Sequence, residues 1–220
     1  MSGSKRNRAD TSDGGGQPAA GLIARRSRYV TQAGLIAALY AAATIPFIQN
    51  PLTYGPVQLR LSEALTVLAL FTPAAIPGLA IGCAVANGAM VAQFGASALL
   101  DVFFGSLATF LGAVWTFRHR RRPGIALLGP VVANALIVAA YLPIVLAATG
   151  MYDQVVFGIR VDESWVWMFL FGAVTIAAGE AAVVYLVGGP LALALRLSGA
   201  ARIVGGDEDP ALGHGRGGHG

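Results

Sequence analysis

The chain has 220 residues and a formal net charge of +4, and hydrophobic residues make up 55% of it while charged residues make up only 12%. A soluble domain of this size needs more charge to cover its surface, so this balance excludes an ordinary soluble protein. The arginines lie in short clusters beside apolar runs, which is a topology signal of membrane proteins and argues against nucleic-acid binding.

The chain divides into two polar tails and one apolar domain. Residues 1–28 are polar and end in a basic cluster, and residues 196–220 end in a low-complexity run of glycine and histidine. Segments of this composition cannot bury enough apolar surface to fold, so both tails are predicted to be disordered. Residues 29–195 between them form the predicted transmembrane domain.

Six stretches of this domain are apolar over lengths that suit membrane helices, which need about 20 residues to cross a hydrocarbon core of about 30 Å. They are Tyr29–Ile48, Val57–Thr72, Ala74–Phe94, Leu99–Phe117, Ile125–Thr149 and Trp165–Val187. The second is short, and its ends are expected to lie in protein-lined space. The fold predicted is therefore an all-α integral membrane protein with six transmembrane helices.

The arginine clusters predict the orientation of these helices. Arg25, Arg26 and Arg28 precede the first span, and the most basic loop, 118–122, follows the fourth. Basic loops stay in the cytoplasm, and an even number of crossings puts both clusters on that side. We therefore predict a multi-pass protein of the cell membrane with both termini cytoplasmic.

Four polar residues are predicted near the outer ends of the spans, where each ionisable group costs about 3 kcal/mol to insert. Arg60 and Glu63 are three residues apart and share one helical face, so they form either a self-satisfied ion pair or a binding mouth. Asp101 is either a helix N-cap or a ligand contact. Asn87 either forms an interhelical hydrogen bond or contacts a ligand.

Two further polar residues lie deeper. At 1.5 Å per residue, Glu180 is about 22 Å along the sixth span, and Asn134 is near the middle of the fifth. These spans are consecutive and antiparallel, so both side chains can face one interior. A buried glutamate without a basic neighbour in sequence binds a partner or stays protonated, and a purely structural tether is the alternative.

The first span carries small residues at every fourth position. Ala33, Ala37 and Ala41 form one such stripe, and Gly34, Ala38 and Ala42 form another beside it. A smooth stripe lets a second helix approach closely. The pattern predicts either an interface with a partner protein or ordinary internal packing.

Known catalytic patterns are missing from the sequence. It contains no phosphate-binding loop, no nucleophile elbow and no His-Glu-x-x-His pattern, and the spacing of His119, His214 and His219 fits no metal site. We therefore predict that the chain is not an enzyme and binds neither a metal nor a cofactor. Energy for uphill transport would then come from a partner or from a gradient.

Several segments resemble the QueT family, and the resemblance covers all six predicted spans, from Gln32 to Leu193. The matching segments are Val57–Leu68, Phe71–Leu79, Ile81–Cys83, Ala86–Asn87, Leu100–Thr109, Asn134–Val138 and Gly179–Glu180. The first two are the most specific. The family comprises substrate-binding (S) components of energy-coupling factor (ECF) transporters, which import queuosine precursors.

The resemblance implies a six-helix S component that captures its ligand outside the cell. It implies docking on a transmembrane coupling protein and two ATPase subunits that hydrolyse the ATP, with toppling in the membrane to release the cargo inside. In such components an Ala-x-x-x-Ala stripe on the first helix contacts the coupling protein. Ala33, Ala37 and Ala41 match that stripe.

The ligand implied by the resemblance is a 7-deazaguanine base, whose N–H and exocyclic amine can donate side by side to one carboxylate. Glu63 or Asp101 is expected to accept them, because an outward-open pocket lies in the outer half. Asn87 and Asn134 would read the carbonyl and ring nitrogens, and Arg60 would bind a carbonyl or orient Glu63. The expected substrate-binding residues are Arg60, Glu63, Asn87, Asp101, Asn134 and Glu180.

Two alternatives to this function stay open. The same fold serves other vitamin-like nutrients, so the ligand could be one of these. A gradient-driven secondary carrier with Glu180 as its proton site is the other alternative.

An aromatic ring is also expected to stack on the bound base. Tyr54 and Trp165 lie at a suitable depth for this contact.

Overall fold

The computed structural model describes residues 16–47, 59–148, 155–156, 159–160 and 165–205. Its regular structure is helical apart from a two-residue antiparallel hairpin, in which Val155–Val156 (β1) pairs with Ile159–Arg160 (β2). Tyr54, His214, His219 and the outer parts of both predicted tails lie outside the described residues.

The helices are numbered in chain order. They are α1 (Gly16–Thr44), α2 (Ala75–Phe94), α3 (Ser106–Arg118), α4 (Pro123–Ala126), α5 (Leu128–Ala148), α6 (Trp165–Ala181), α7 (Gly189–Leu197) and α8 (Ala200–Gly205). Five described segments have other helical geometries. They are the short 3₁₀ turns Ile45–Phe47 and Gly95–Ala98, the buried 3₁₀ helix (Leu61–Leu70), the first π segment (Asp101–Gly105) and the second π segment (Ala182–Gly188).

Five helical stretches are long and apolar enough to cross a membrane, and they match five of the six predicted spans. They are Gly21–Phe47, Ala75–Ala92, Gly95–Arg118, Pro123–Val145 and Trp165–Leu197. The helical backbone satisfies its own hydrogen bonds, which is what an apolar solvent demands. The last stretch runs through the second π segment and reaches ten residues beyond the predicted end at Val187.

The second predicted span differs from the prediction. Its helix covers only Leu61–Leu70 and is 3₁₀ rather than α. A 3₁₀ helix rises about 2.0 Å per residue, so ten residues extend about 20 Å, less than the hydrocarbon thickness. Eight of the ten residues are buried, because the segment is surrounded by other helices rather than by lipid.

The inner parts of both tails are helical where the sequence predicts disorder. Helix α1 begins at Gly16, thirteen residues before the predicted start of the domain. Helix α8 lies within the predicted C-terminal tail and contacts α1. There Arg28 donates to the carbonyl of Ile203, and Gln32 Nε2 donates to the carbonyl of Val204 at 3.1 Å. These contacts order segments that composition alone marks as polar.

The contact between α1 and α8 brings the two ends of the membrane domain to the same side. The end of the buried 3₁₀ helix lies there as well, since a Cβ built on Gly205 would meet the carbonyl oxygen of Phe71 at 3.0 Å. Ala126 and Ala201 also share one apolar cluster, so the basic turn between α3 and α5 belongs to this side too.

Helices α1 and α2 pack at backbone distance. A Cβ built on Gly78 would come 2.7 Å from the carbonyl oxygen of Ala33, and one on Gly82 would come 2.7 Å from that of Ala37. Only glycine permits this approach. Behind this contact, Tyr40 and Leu79 belong to a core that also takes in the buried 3₁₀ helix and α3.

Candidate functional site

The six polar residues singled out in the sequence are all buried in the interior of the helix bundle. None exposes more than 5% of its surface, whereas many large apolar side chains on the outside of the bundle are exposed. The exposed fractions are 0% for Glu63, 1% for Asn87, 3% for Asn134, 3% for Glu180, 4% for Arg60 and 5% for Asp101. The groups therefore solvate one another or a ligand rather than meeting lipid.

The buried 3₁₀ helix aligns three of the polar side chains. Arg60 precedes the helix as its N-cap, and Glu63 and Thr66 follow at intervals of three residues. A 3₁₀ helix has three residues per turn, so these positions lie directly above one another. The helix thus presents one continuous polar edge to α3 and α1, and its remaining residues are mostly apolar.

Glu63 accepts hydrogen bonds from three hydroxyl groups on three elements. Tyr40 of α1 and Thr109 of α3 donate to Oε1, the latter at 3.2 Å, and Thr66 donates to Oε2 at 3.2 Å. Both carboxyl oxygens are therefore occupied by the protein itself. Three donors to one carboxylate stabilise a charge that lies far from water.

Arg60 forms its ion pair with Asp101 rather than with Glu63. Its Nη2 lies 3.3 Å from Asp101 Oδ1, and the hydroxyl of Tyr141 donates to the same oxygen at 2.7 Å. Asn87 Nδ2 donates to the backbone carbonyl of Asp101 at 2.7 Å. The ion pair with Glu63, one of the two alternatives from the sequence, is therefore not the one found. Arg60 shares an edge of the 3₁₀ helix with Glu63, but the oxygens of Glu63 are occupied by hydroxyl groups and Asp101 supplies the counter-charge.

Asp101 is the first residue of the π segment, with Leu100 at the cap position. It is therefore not the N-cap that the sequence suggested as an alternative. For Asn87 the interhelical hydrogen bond is present, as its bond to Asp101 joins α2 to the first π segment. A ligand role for Asn87 stays a prediction.

Glu180 and Asn134 form a separate pair between α6 and α5. Asn134 Nδ2 donates to Glu180 Oε1 at 3.0 Å, and both side chains are 3% exposed. Glu63 and Arg60 both act electrostatically on Glu180, so the pair belongs to the same charged interior. Among the described residues, that interior holds one guanidinium group and three carboxyl groups, those of Arg60, Glu63, Asp101 and Glu180.

Two of the acidic residues lie at π segments. Asp101 begins the first, and Glu180 lies two residues before the second. In a π segment the backbone bonds reach one residue further than in an α-helix, and such segments are frequent at functional sites because they redirect side chains. All three carboxylates are thus presented by or beside backbone that departs from the α-helix.

Four residues of this network were not predicted from the sequence: Tyr40, Thr66, Thr109 and Tyr141. Hydroxyl side chains are ordinary in membrane helices, where they can bond to their own backbone, as Thr109 does to Gly105 at 3.2 Å. Of these four, only Thr66 had a signal in the sequence, because it lies three residues after Glu63 and six after Arg60. The other three become recognisable only once the helices are assembled.

The predicted partner stripe of Ala33, Ala37 and Ala41 faces the inside of the protein. Ala33 and Ala41 are buried, and the carbonyls of Ala33 and Ala37 meet the glycines of α2. Internal packing, which the sequence left open, accounts for this stripe. The neighbouring stripe of small residues is the exposed one, and its members are Gly34, Ala38 and Ala42.

Trp165 stacks on Phe169 with ring centroids 5.5 Å apart and is 55% exposed, so it lies outside the buried network. Tyr40 and Tyr141 are the aromatic residues that bond directly to the charged groups, and the ring of Phe104 packs against that of Tyr141 with centroids 5.8 Å apart. Among the described residues, no three His, Cys, Asp or Glu side chains are grouped as a metal site requires.

Comparison with known proteins places the chain in a family. The family model described as QueT transporter matches residues 30–197. A relative described as the queuosine precursor transporter QueT, from Lactococcus lactis subsp. cremoris (strain MG1363), is 34% identical over 77 residues. These are 35% of this chain and 42% of the relative, so the match spans less than half of that protein. No solved structure matches the chain significantly. Since the family model covers most of the chain and all of the buried polar network, this membrane protein belongs to the QueT transporter family.

Proposed function

We propose that this chain is the substrate-capture subunit of an importer and that its substrate is a queuosine precursor with a 7-deazaguanine base. The observation that carries the proposal is the overlap of the family match with a buried network of three carboxyl groups, one guanidinium and two amides. An interior of this kind is costly in a membrane and is kept for a ligand or an ion path.

The proposed topology has six crossings and both termini in the cytoplasm. The contact between α1 and α8 supports an even number of crossings, and five long helices alone would give an odd number. The sixth crossing is assigned to the segment that contains the buried 3₁₀ helix Leu61–Leu70. Arg28 and the basic turn before α5 lie on the shared side, which agrees with a cytoplasmic location.

The proposed partners are a coupling protein in the membrane and two ATPases that hydrolyse ATP. The chain itself carries no phosphate-binding loop, so an ATP-driven import needs such subunits. The proposed docking surface on α1 is the exposed stripe of Gly34, Ala38 and Ala42, flanked by the exposed Leu35 and Leu39. Small residues between two leucines let a second helix approach closely in lipid.

Purification from native membranes tests the substrate and the partners together. The expected result is that a 7-deazaguanine base is identified by mass spectrometry in the purified protein, and that a membrane protein and two ATPases co-purify with it. The matched control is Ala38→Leu, which is expected to keep the base and lose the three proteins, because residue 38 lies on the exposed face of α1 whereas Tyr40, the member of the network on that helix, is buried.

A gradient-driven carrier is the second candidate, and the buried Glu180 is the observation that favours it. Transport assays separate the two mechanisms. In the ATP-driven case, uptake of a labelled 7-deazaguanine base stops when the ATPases are deleted. Uptake that survives this deletion and collapses with an uncoupler would instead establish the carrier.

A further inference from the structure

The three buried carboxyl groups differ in how fully the protein satisfies them. Glu63 has donors on both oxygens, supplied by Tyr40, Thr66 and Thr109. Asp101 has Arg60 as its counter-charge at 3.3 Å, together with the Tyr141 hydroxyl. A carboxylate held in this way gains little from a ligand and would lose internal bonds by turning toward one.

Glu180 is the exception. Its single donor is Asn134 Nδ2, which reaches Oε1 at 3.0 Å. Within the part of the chain that the structure describes, Oε2 of Glu180 and Oδ1 of Asn134 accept no hydrogen bond, and Glu180 has no ion pair. Both side chains are nevertheless 97% buried, since each exposes only 3%. Among the described residues, Ser106 Oγ is the one fully enclosed side-chain polar atom without a hydrogen-bond partner, so the two open oxygens of the pair keep some accessible surface and can accept donors from outside the chain.

The surroundings of the pair decide what kind of group can bind there. Glu63 acts on Glu180 with a like charge, and Arg60, the cation that also acts on it, is already engaged with Asp101. The open atoms of the pair, a carboxyl oxygen and an amide oxygen, are both acceptors. A ligand that binds these two acceptors must therefore present N–H donors along one edge, where its electrostatic potential is positive.

We propose that Glu180 and Asn134 form the recognition pair of the site and accept the N–H donors of the substrate. The edge that fits is a ring N–H beside an exocyclic amine, as in a 2-aminopyrimidinone. This inference rests on the proposed function and narrows it. The direct contact is assigned to Glu180 instead of Glu63 or Asp101, which act as positioning residues for the network.

The test asks whether the loss of affinity caused by removing the ligand's amine depends on Glu180. Binding of 7-deazaguanine and of 7-deazahypoxanthine, the same ring without the exocyclic amine, is measured by calorimetry on the wild type and on Glu180→Gln. For the wild type, removal of the amine is expected to weaken binding roughly ten- to a hundredfold, the size of a hydrogen bond to a charged group. For Glu180→Gln both ligands are expected to bind equally weakly.

Thr116→Val is the control, as it removes a buried hydroxyl that lies outside the network and bonds to the carbonyls of Gly112 and Ala126. It is expected to lower thermal stability while keeping the discrimination between the two ligands. If Glu180→Gln does not fold, Asn134→Ala replaces it and is expected to reduce the same discrimination.

Discrimination that persists in Glu180→Gln or Asn134→Ala, or disappears in Thr116→Val, would overturn the assignment while leaving the proposed function intact. Failure of the wild type to bind either base would refute the proposed substrate, and the recognition pair with it.

Discussion

At the scale of single residues, the interior is organised by hydroxyl groups around charges. Tyr40 and Thr109 reach Glu63 from different helices, and Tyr141 reaches Asp101 in the same way. Each of these bonds crosses between elements, so each fixes a helix as well as a charge. Removing one donor leaves a buried carboxylate short of a partner, which costs more than the average hydrogen bond contributes.

Tyr40→Phe is therefore expected to destabilise the protein by about 1–3 kcal/mol, because it removes a donor to a buried carboxylate. The matched control is Tyr185→Phe, whose hydroxyl donates to the carbonyl of Gly124 at 2.7 Å in a more exposed setting. It is expected to cost less. The free energy of unfolding, measured with denaturant in micelles, compares the two variants. An equal or larger loss in Tyr185→Phe would contradict this role of Tyr40.

The sequence predicts the charged and amide members of the network but not their pairing. Arg60, Asp101 and Glu180 can be found by the cost of placing such groups in an apolar span, which requires only composition and position. The pairing of Arg60 with Asp101 depends on the geometry of the 3₁₀ helix and on where α2 and α5 lie. Neither is encoded in local spacing, so the spacing of three residues offered Glu63 as one possible partner and left the binding mouth open as the alternative.

At the scale of elements, the register of α1 against α2 is set by two glycines. The sequence offers two adjacent stripes of small residues on α1 and gives no reason to choose between them. Gly78 and Gly82 of α2 determine which stripe is buried, because the backbone of Ala33 and Ala37 packs against them at a distance that no other residue allows. Packing between helices thus decides which stripe stays exposed.

Gly82→Ala is expected to destabilise the protein, since the added Cβ would lie 2.7 Å from the Ala37 carbonyl oxygen and 2.7 Å from the Tyr40 Cβ. Overpacking of this kind costs about 1–3 kcal/mol. Gly88→Ala on the same helix is the control, because nothing lies within 4 Å of its Cβ. It is expected to be neutral or stabilising, as alanine favours helix. Thermal unfolding that ranks the two variants in the opposite order would contradict this packing.

The buried 3₁₀ helix shows that the hydropathy of a segment does not predict its helix type or its surroundings. Its sequence is as apolar as a membrane span, and length alone marks it as the weakest of the six. Whether such a segment becomes a lipid-facing α-helix or a buried 3₁₀ helix depends on what surrounds it. Here eight of ten residues are covered by neighbouring helices, so the tighter geometry is supported by tertiary contacts.

At the scale of the whole molecule, the contact between α1 and α8 constrains the topology. Arg28 and Gln32 near the start of the first span reach the carbonyls of Ile203 and Val204 after the last. Both ends therefore lie at the same end of the helix bundle, which supports the even number of crossings proposed above. Charge counting in the sequence arrives at the same arrangement by a different route, through the positive-inside rule.

Cysteine accessibility tests that arrangement, because Cys83 is the only cysteine in the chain and it is buried. Ser27→Cys and Ser198→Cys place exposed thiols at the two ends of the domain, and Ala96→Cys places one in the turn after α2. A membrane-impermeant maleimide is expected to label Ala96→Cys in intact cells, and the two serine variants only after the cells are permeabilised. The wild type, with Cys83 alone, is the control and is expected to stay unlabelled. Labelling of Ser27→Cys and Ser198→Cys from opposite sides would require an odd number of crossings and would contradict the proposed topology.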